Sequence, residues 1–133
     1  MNTKNLMIAS SLFLMICGFG LTFIPEEISE LLNASTNPTS ILFLQILGSL
    51  YLGFGMLNWM TKNNLIGGIY SKPLVIGNLA HFLMSTIALI KIVGTYSDSK
   101  FIIMLSLTML YVIFTVGFGY VFSKNPNKSF NKN

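Results

Sequence analysis

Arginine is absent from this 133-residue sequence, cysteine occurs once, and four acidic residues stand against eight lysines. Each scarcity closes off a class of protein. The lone Cys17 allows neither a disulfide framework nor a C-x-x-C pair. It follows Ile16, which is bulky where a lipoprotein cleavage site needs a small residue, so no lipid is expected on the thiol. The acids Glu26, Glu27, Glu30 and Asp98 all fall outside the apolar runs, which removes the carboxylate pairs of common hydrolases and most proton-coupled carriers. G-x-x-x-x-G-K-[ST], H-E-x-x-H and G-x-S-x-G are missing too. No proline interrupts an apolar run, against the broken-helix design of many transporters. One histidine without a carboxylate partner makes no usual metal-ligand set, so neither metal nor cofactor is expected.

What the sequence has in abundance is apolar length. Hydrophobic residues make up 53% and charged residues 9%, leaving no room for a separate aqueous domain. Four runs, Leu6 to Ile24, Ile41 to Met60, Leu74 to Val93 and Phe101 to Phe122, each approach the ~20 residues that a helix needs to cross ~30 Å of hydrocarbon. Backbone groups in lipid must be satisfied internally, and continuous runs without alternation choose helices over a barrel. The expected fold is all-α: one integral-membrane four-helix bundle over residues 1–122, followed by a basic, disordered cytoplasmic tail at 123–133. The first run has no Ala-x-Ala-like exit and reads as a retained anchor.

The net charge of +4 does not point to nucleic acid, because the lysines are scattered around span ends and not clustered on a face. They read as topology signals. Lys4, Lys62, Lys72, Lys124, Lys128 and Lys132 fall on one side of a four-span arrangement, and only Lys91 and Lys100 on the other. The positive-inside rule then puts both termini in the cytoplasm. In the first outer loop, Pro25-Glu26-Glu27 suits a helix start, and Ile28, Leu31 and Leu32 form an apolar stripe, which predicts a short interfacial helix. Asn37-Pro38, Ser71-Lys72-Pro73 and Asp98 or Ser99 read as starts of the later spans. Gly67-Gly68-Ile69-Tyr70 reads as a turn, and Trp59, Tyr70, Tyr96 and Tyr120 as interface anchors, with Lys91 snorkelling to the head groups. The repeated Gly-Phe-Gly at 18–20, 53–55 and 117–119 reads as close helix packing.

Polar residues inside the spans are the remaining clue. Gln45, Gly48, Tyr51, Gly55 and Asn58 share a face of the second span; Asn78, His81 and Ser85 share one of the third. The fourth contributes Thr108, Tyr111, Thr115 and Gly119, and the first Ser10, Cys17 and Gly18. Counting in from the span ends, His81, Tyr51, Tyr111 and Cys17 lie roughly 12 to 17 Å deep, near the midplane. The candidate ligand-binding residues are therefore His81, Asn78, Tyr51, Asn58 and Tyr111.

His81 is a candidate proton carrier, ligand-binding group or general base; equally, a neutral imidazole held by a neighbouring tyrosine or asparagine serves as packing. Asn58 and Asn78 suit a polar head group or an interhelical hydrogen bond, and the tyrosines suit a pocket wall or hydroxyl contacts between helices. The leading expectation is a non-enzymatic accessory subunit or small-ligand-binding protein, whose partners are the lipid bilayer, a small apolar ligand and a second protein or further copies of itself. The alternatives are a membrane enzyme acting on a lipid or quinone-like molecule with His81 as acid or base, and a small oligomeric permease. Gly18-Phe19-Gly20 followed by Pro25-Glu26, then Gly48-x-x-Tyr51-x-Gly53, resembles the DoxX-like small four-helix bacterial membrane proteins over roughly the first half of the chain. That resemblance implies a four-helix inner-membrane bundle, sometimes a small subunit of a redox or assembly complex.

Overall fold

A computed structural model describes residues 3–63 and 72–124. Among these the structure is all-α, with helices α1 (Thr3–Phe23), α2 (Pro25–Leu31), α3 (Pro38–Thr61), α4 (Lys72–Val93) and α5 (Asp98–Ser123). Four of them are long and apolar enough to cross a membrane, with α2 as the short helix after the first span. The chain is a multi-pass helical membrane protein. Each long helix overruns its apolar run by one to three residues at one or both ends, because capping and first-turn residues are polar. The Gly67-Gly68 turn, Ser71, Tyr70 and the tail from residue 125 lie outside the described residues.

Capping residues set the boundaries. Asn37 caps α3, its Oδ1 accepting the Ser40 N–H at 2.8 Å with Pro38 in the first turn. α2 begins at Pro25 with Glu26 and Glu27 beside the positive end of its dipole. It ends as Asn33 takes a left-handed φ of 53°, a conformation asparagine tolerates after a helix. The Ser29 hydroxyl then donates to the Ser35 carbonyl at 2.9 Å and folds the connection back on the helix. α5 starts earlier than Asp98 or Ser99 as a cap implies: Ser97 occupies the N-cap with extended backbone, and Asp98 lies in the first turn.

By its contacts the chain divides into two compact units, Met7–Lys62 and a second comprising Met1–Leu6 with Asn63–Asn133. In the first, α1 and α3 run antiparallel. Ser11 stands against Gly55, Gly18 against Gly48 and Thr22 against Gln45, so position rises along one helix as it falls along the other. In lipid no hydrophobic force drives helices together, and the seam depends on close van der Waals contact. Glycine makes it possible: a Cβ on Gly18 would lie 2.8 to 2.9 Å from Leu52 Cγ, Leu52 N and the Gly48 carbonyl oxygen. A Cβ on Gly48 would meet the Gly18 carbonyl oxygen at 2.9 Å. Here each backbone is the other's surface.

In the second unit α4 and α5 are also antiparallel, with Leu79 beside Gly119 and Thr86 beside Thr115. This seam is built from rings where the other is built from glycines. Phe82, fully buried, stacks on Phe114 at 4.8 Å and Phe118 at 5.6 Å, and meets Tyr111 edge-on at 5.5 Å between centroids.

Candidate functional site

The polar residues of the first unit form a chain of donors and acceptors. Ser10 donates its hydroxyl to the Met7 carbonyl at 3.1 Å, which commits its only proton. Its oxygen then accepts from Asn58 Nδ2 at 3.0 Å, across from α3 to α1. Both residues are fully buried. The adjacent Ser11 donates its hydroxyl to the carbonyl of Gly55, about one turn before Asn58, at 2.7 Å, again across the seam. Asn58 thus takes part in an interhelical hydrogen bond. Such bonds contribute about 0.6 kcal/mol on average between membrane helices. A double-mutant cycle of Ser10→Ala and Asn58→Leu, read by reversible unfolding in mixed micelles, is expected to give a coupling of about that size. A coupling indistinguishable from zero would show the contact to be energetically idle. Tyr51 and Cys17 belong to this unit and are half-buried.

Asn78, His81 and Tyr111 belong to the second unit. Asn78 is fully buried, with Nδ2 donating to the Leu74 carbonyl one turn back at 2.9 Å. His81 is half-buried. Its ring centroid lies 6.0 Å from Tyr111 and 5.0 Å from Phe82, edge-on to the latter. Tyr111 is buried and touches both His81 and Phe82, so the three rings form one cluster. Further along, Thr115 donates to the Tyr111 carbonyl at 2.8 Å and has no second proton. In the 3.0 Å Thr86–Thr115 pair Thr86 must therefore be the donor. The pair links α4 to α5 one turn after Phe82 on the former and one turn after Tyr111 on the latter.

The five candidate residues divide between the units, Tyr51 and Asn58 in one and Asn78, His81 and Tyr111 in the other. Within the second, the structure brings His81 and Tyr111 together, with Asn78 one turn before His81 on α4. Sequence reasoning passed over Ser11, Thr86 and the phenylalanines. The signal for Phe82 and Thr86 was their fourfold spacing from Asn78, which selects Val75, Asn78, Phe82 and Thr86 as the buried face of α4. No group of three or more His, Cys, Asp or Glu side chains suited to a metal occurs among the described residues. At the helix ends, Lys62 Nζ lies 3.1 Å over the Trp59 ring and Lys124 Nζ 4.6 Å over Tyr120, cation–π contacts suited to the level of the head groups.

Comparison with known proteins yields no match: no family model, no curated protein and no solved structure is significantly similar to this chain. The site must be read from its own geometry.

Proposed function

We propose that this protein is a non-enzymatic accessory or carrier of a bacterial inner membrane, with both termini in the cytoplasm, that holds a small planar apolar molecule beside His81. The observation that carries this reading is the His81–Tyr111–Phe82 cluster, in which an imidazole stands mid-span against two rings, with Phe114 stacked on Phe82. Aromatic side chains pack against planar apolar groups by offset or edge-on stacking, and an imidazole within a span is a polar group suited to a molecule that also carries a carbonyl or hydroxyl. Quinone-like molecules combine those features and partition into the bilayer. The lysine distribution supports the orientation. The Gly18-Phe19-Gly20 and Gly48-x-x-Tyr51-x-Gly53 likeness to DoxX-like proteins supports a role as a small subunit beside a larger partner.

Photolabelling tests the reading. A short-chain benzoquinone carrying a diazirine, added to the protein in vesicles, is expected to label peptides from α4 and α5. His81→Gln should lower labelling at least fivefold while helicity is unchanged. Equal labelling of His81→Gln and wild type would reject the site. Conversion of the probe to a reduced or substituted product, dependent on His81, would move the protein to the enzyme class.

A further inference from the structure

α5 carries a second feature that the His81 cluster does not use. Val112, Ile113, Val116, Gly117 and Tyr120 line a groove of about 550 Å³. The volume falls inside the roughly 300–1,000 Å³ common for ligand sites. These positions step along one stripe of the helix, away from the side on which Tyr111, Phe114 and Phe118 are buried. Gly117 is buried and forms the floor, while Ile113, Val116 and Tyr120 are outward-facing walls. The lining runs for about 12 Å along the axis, aliphatic from Val112 to Val116 and ending at the Tyr120 phenol.

The groove ends at a positive charge. Lys124 closes α5, its backbone N–H bonded to the Tyr120 and Phe122 carbonyls, and its ammonium lies 4.6 Å over the Tyr120 ring. A lysine at the end of a span, lying on an aromatic of the interfacial belt, sits where lipid phosphates sit. Apolar walls through the hydrocarbon and a cation at its edge match one class of molecule, an amphiphile with an acyl chain and an anionic head.

We propose that this groove is a binding site for an anionic glycerophospholipid, with one acyl chain lying over Gly117 between Ile113, Val116 and Tyr120 and the phosphate paired to Lys124. The site stands independently of the His81 reading, since the two share no side chain. A cation near a membrane surface favours anionic over neutral lipid by about fivefold, which sets the size of the effect.

The test is native mass spectrometry of the full chain released from vesicles of equimolar phosphatidylglycerol and phosphatidylcholine. Wild type is expected to retain one phosphatidylglycerol in preference to phosphatidylcholine by about fivefold. Lys124→Gln should bring that preference close to unity while lipid is still retained. Val116→Trp, which fills the groove from its rim without touching the helix seam, should lower retention of both lipids. Equal retention of the two lipids by wild type, an unchanged preference in Lys124→Gln, or a lipid-free dimer would each overturn the proposal.

Discussion

Replacing Gly18 with leucine is expected to separate α1 from α3 and to cost about 3 kcal/mol, the upper end for overpacking a closed contact. The cause is backbone, which cannot rotate away: the first added carbon would lie 2.9 Å from both the Gly48 carbonyl oxygen and the Leu52 nitrogen. The opposing helix has to move back, and the Ser11–Gly55 and Asn58–Ser10 bonds then lengthen with it. Denaturation by increasing SDS in mixed micelles, followed by circular dichroism, measures the loss. Gly53→Ala is the control, because nothing lies within 4 Å of the position its Cβ would take. It is expected to leave stability unchanged or raise it by up to about 1 kcal/mol, the helix preference of alanine over glycine. A Gly18→Leu variant as stable as Gly53→Ala would contradict the antiparallel seam.

The second large effect is expected at Phe82. In water a buried Phe→Ala change costs 3 to 5 kcal/mol, part of it lost transfer free energy and part the cavity left behind. A membrane helix released from its partner still lies in hydrocarbon, so the transfer part largely disappears. The cavity part remains, and Phe82→Ala should destabilise the α4–α5 pair by about 2 kcal/mol. The same SDS titration reads it, with Phe82→Leu expected to lose less than half as much. Thr86→Val, which removes only the donor of the hydroxyl pair, should cost about 0.6 kcal/mol. If Thr86→Val proved the more damaging change, the seam would be held by hydrogen bonds and not by stacked rings.

The contrast between the two seams explains how much of the architecture was legible in the sequence. Hydropathy over about 20 residues places spans well, since crossing lipid is a property of the whole run. Proline and asparagine mark helix starts by their own backbone chemistry, which is why Asn37-Pro38 was readable and Ser97, with no side-chain bond to the helix, was not. The direction each face points is harder. On α3 the small and polar residues do define the seam, because Gly48, Gly55 and Asn58 are its buried positions. Gln45 on the same stripe stays exposed and reaches only the Thr22 carbonyl, at 3.4 Å.

On α4 and α5 polarity was a weaker guide. There the largest inward side chains are the rings of Phe82, Tyr111, Phe114 and Phe118, and phenylalanine is as much at home against lipid as against another ring. Asn78, His81 and Ser85 share a stripe by spacing, yet the buried line runs from Asn78 to Phe82 and Thr86, leaving His81 and Ser85 half-buried on its edge. At that edge the His81 ring lies against Phe82 and Tyr111. The three Gly-Phe-Gly copies differ likewise. Gly18 and Gly55 bring backbones together, while Gly53 faces open space and Gly119 makes only an ordinary 3.9 Å contact with Leu79.

The most direct test of the central claim, that the His81 cluster holds a small apolar molecule, is native mass spectrometry of the protein extracted gently from the membrane in which it is made. The account predicts a bound species of quinone-like mass that survives Lys124→Gln and is lost in His81→Gln. The preference for an anionic lipid should show the reverse dependence, unchanged in His81→Gln and lost in Lys124→Gln, which keeps the two sites distinct. A chain that carries no such molecule, or one whose retention is the same in wild type and in a folded His81→Gln, would contradict the account.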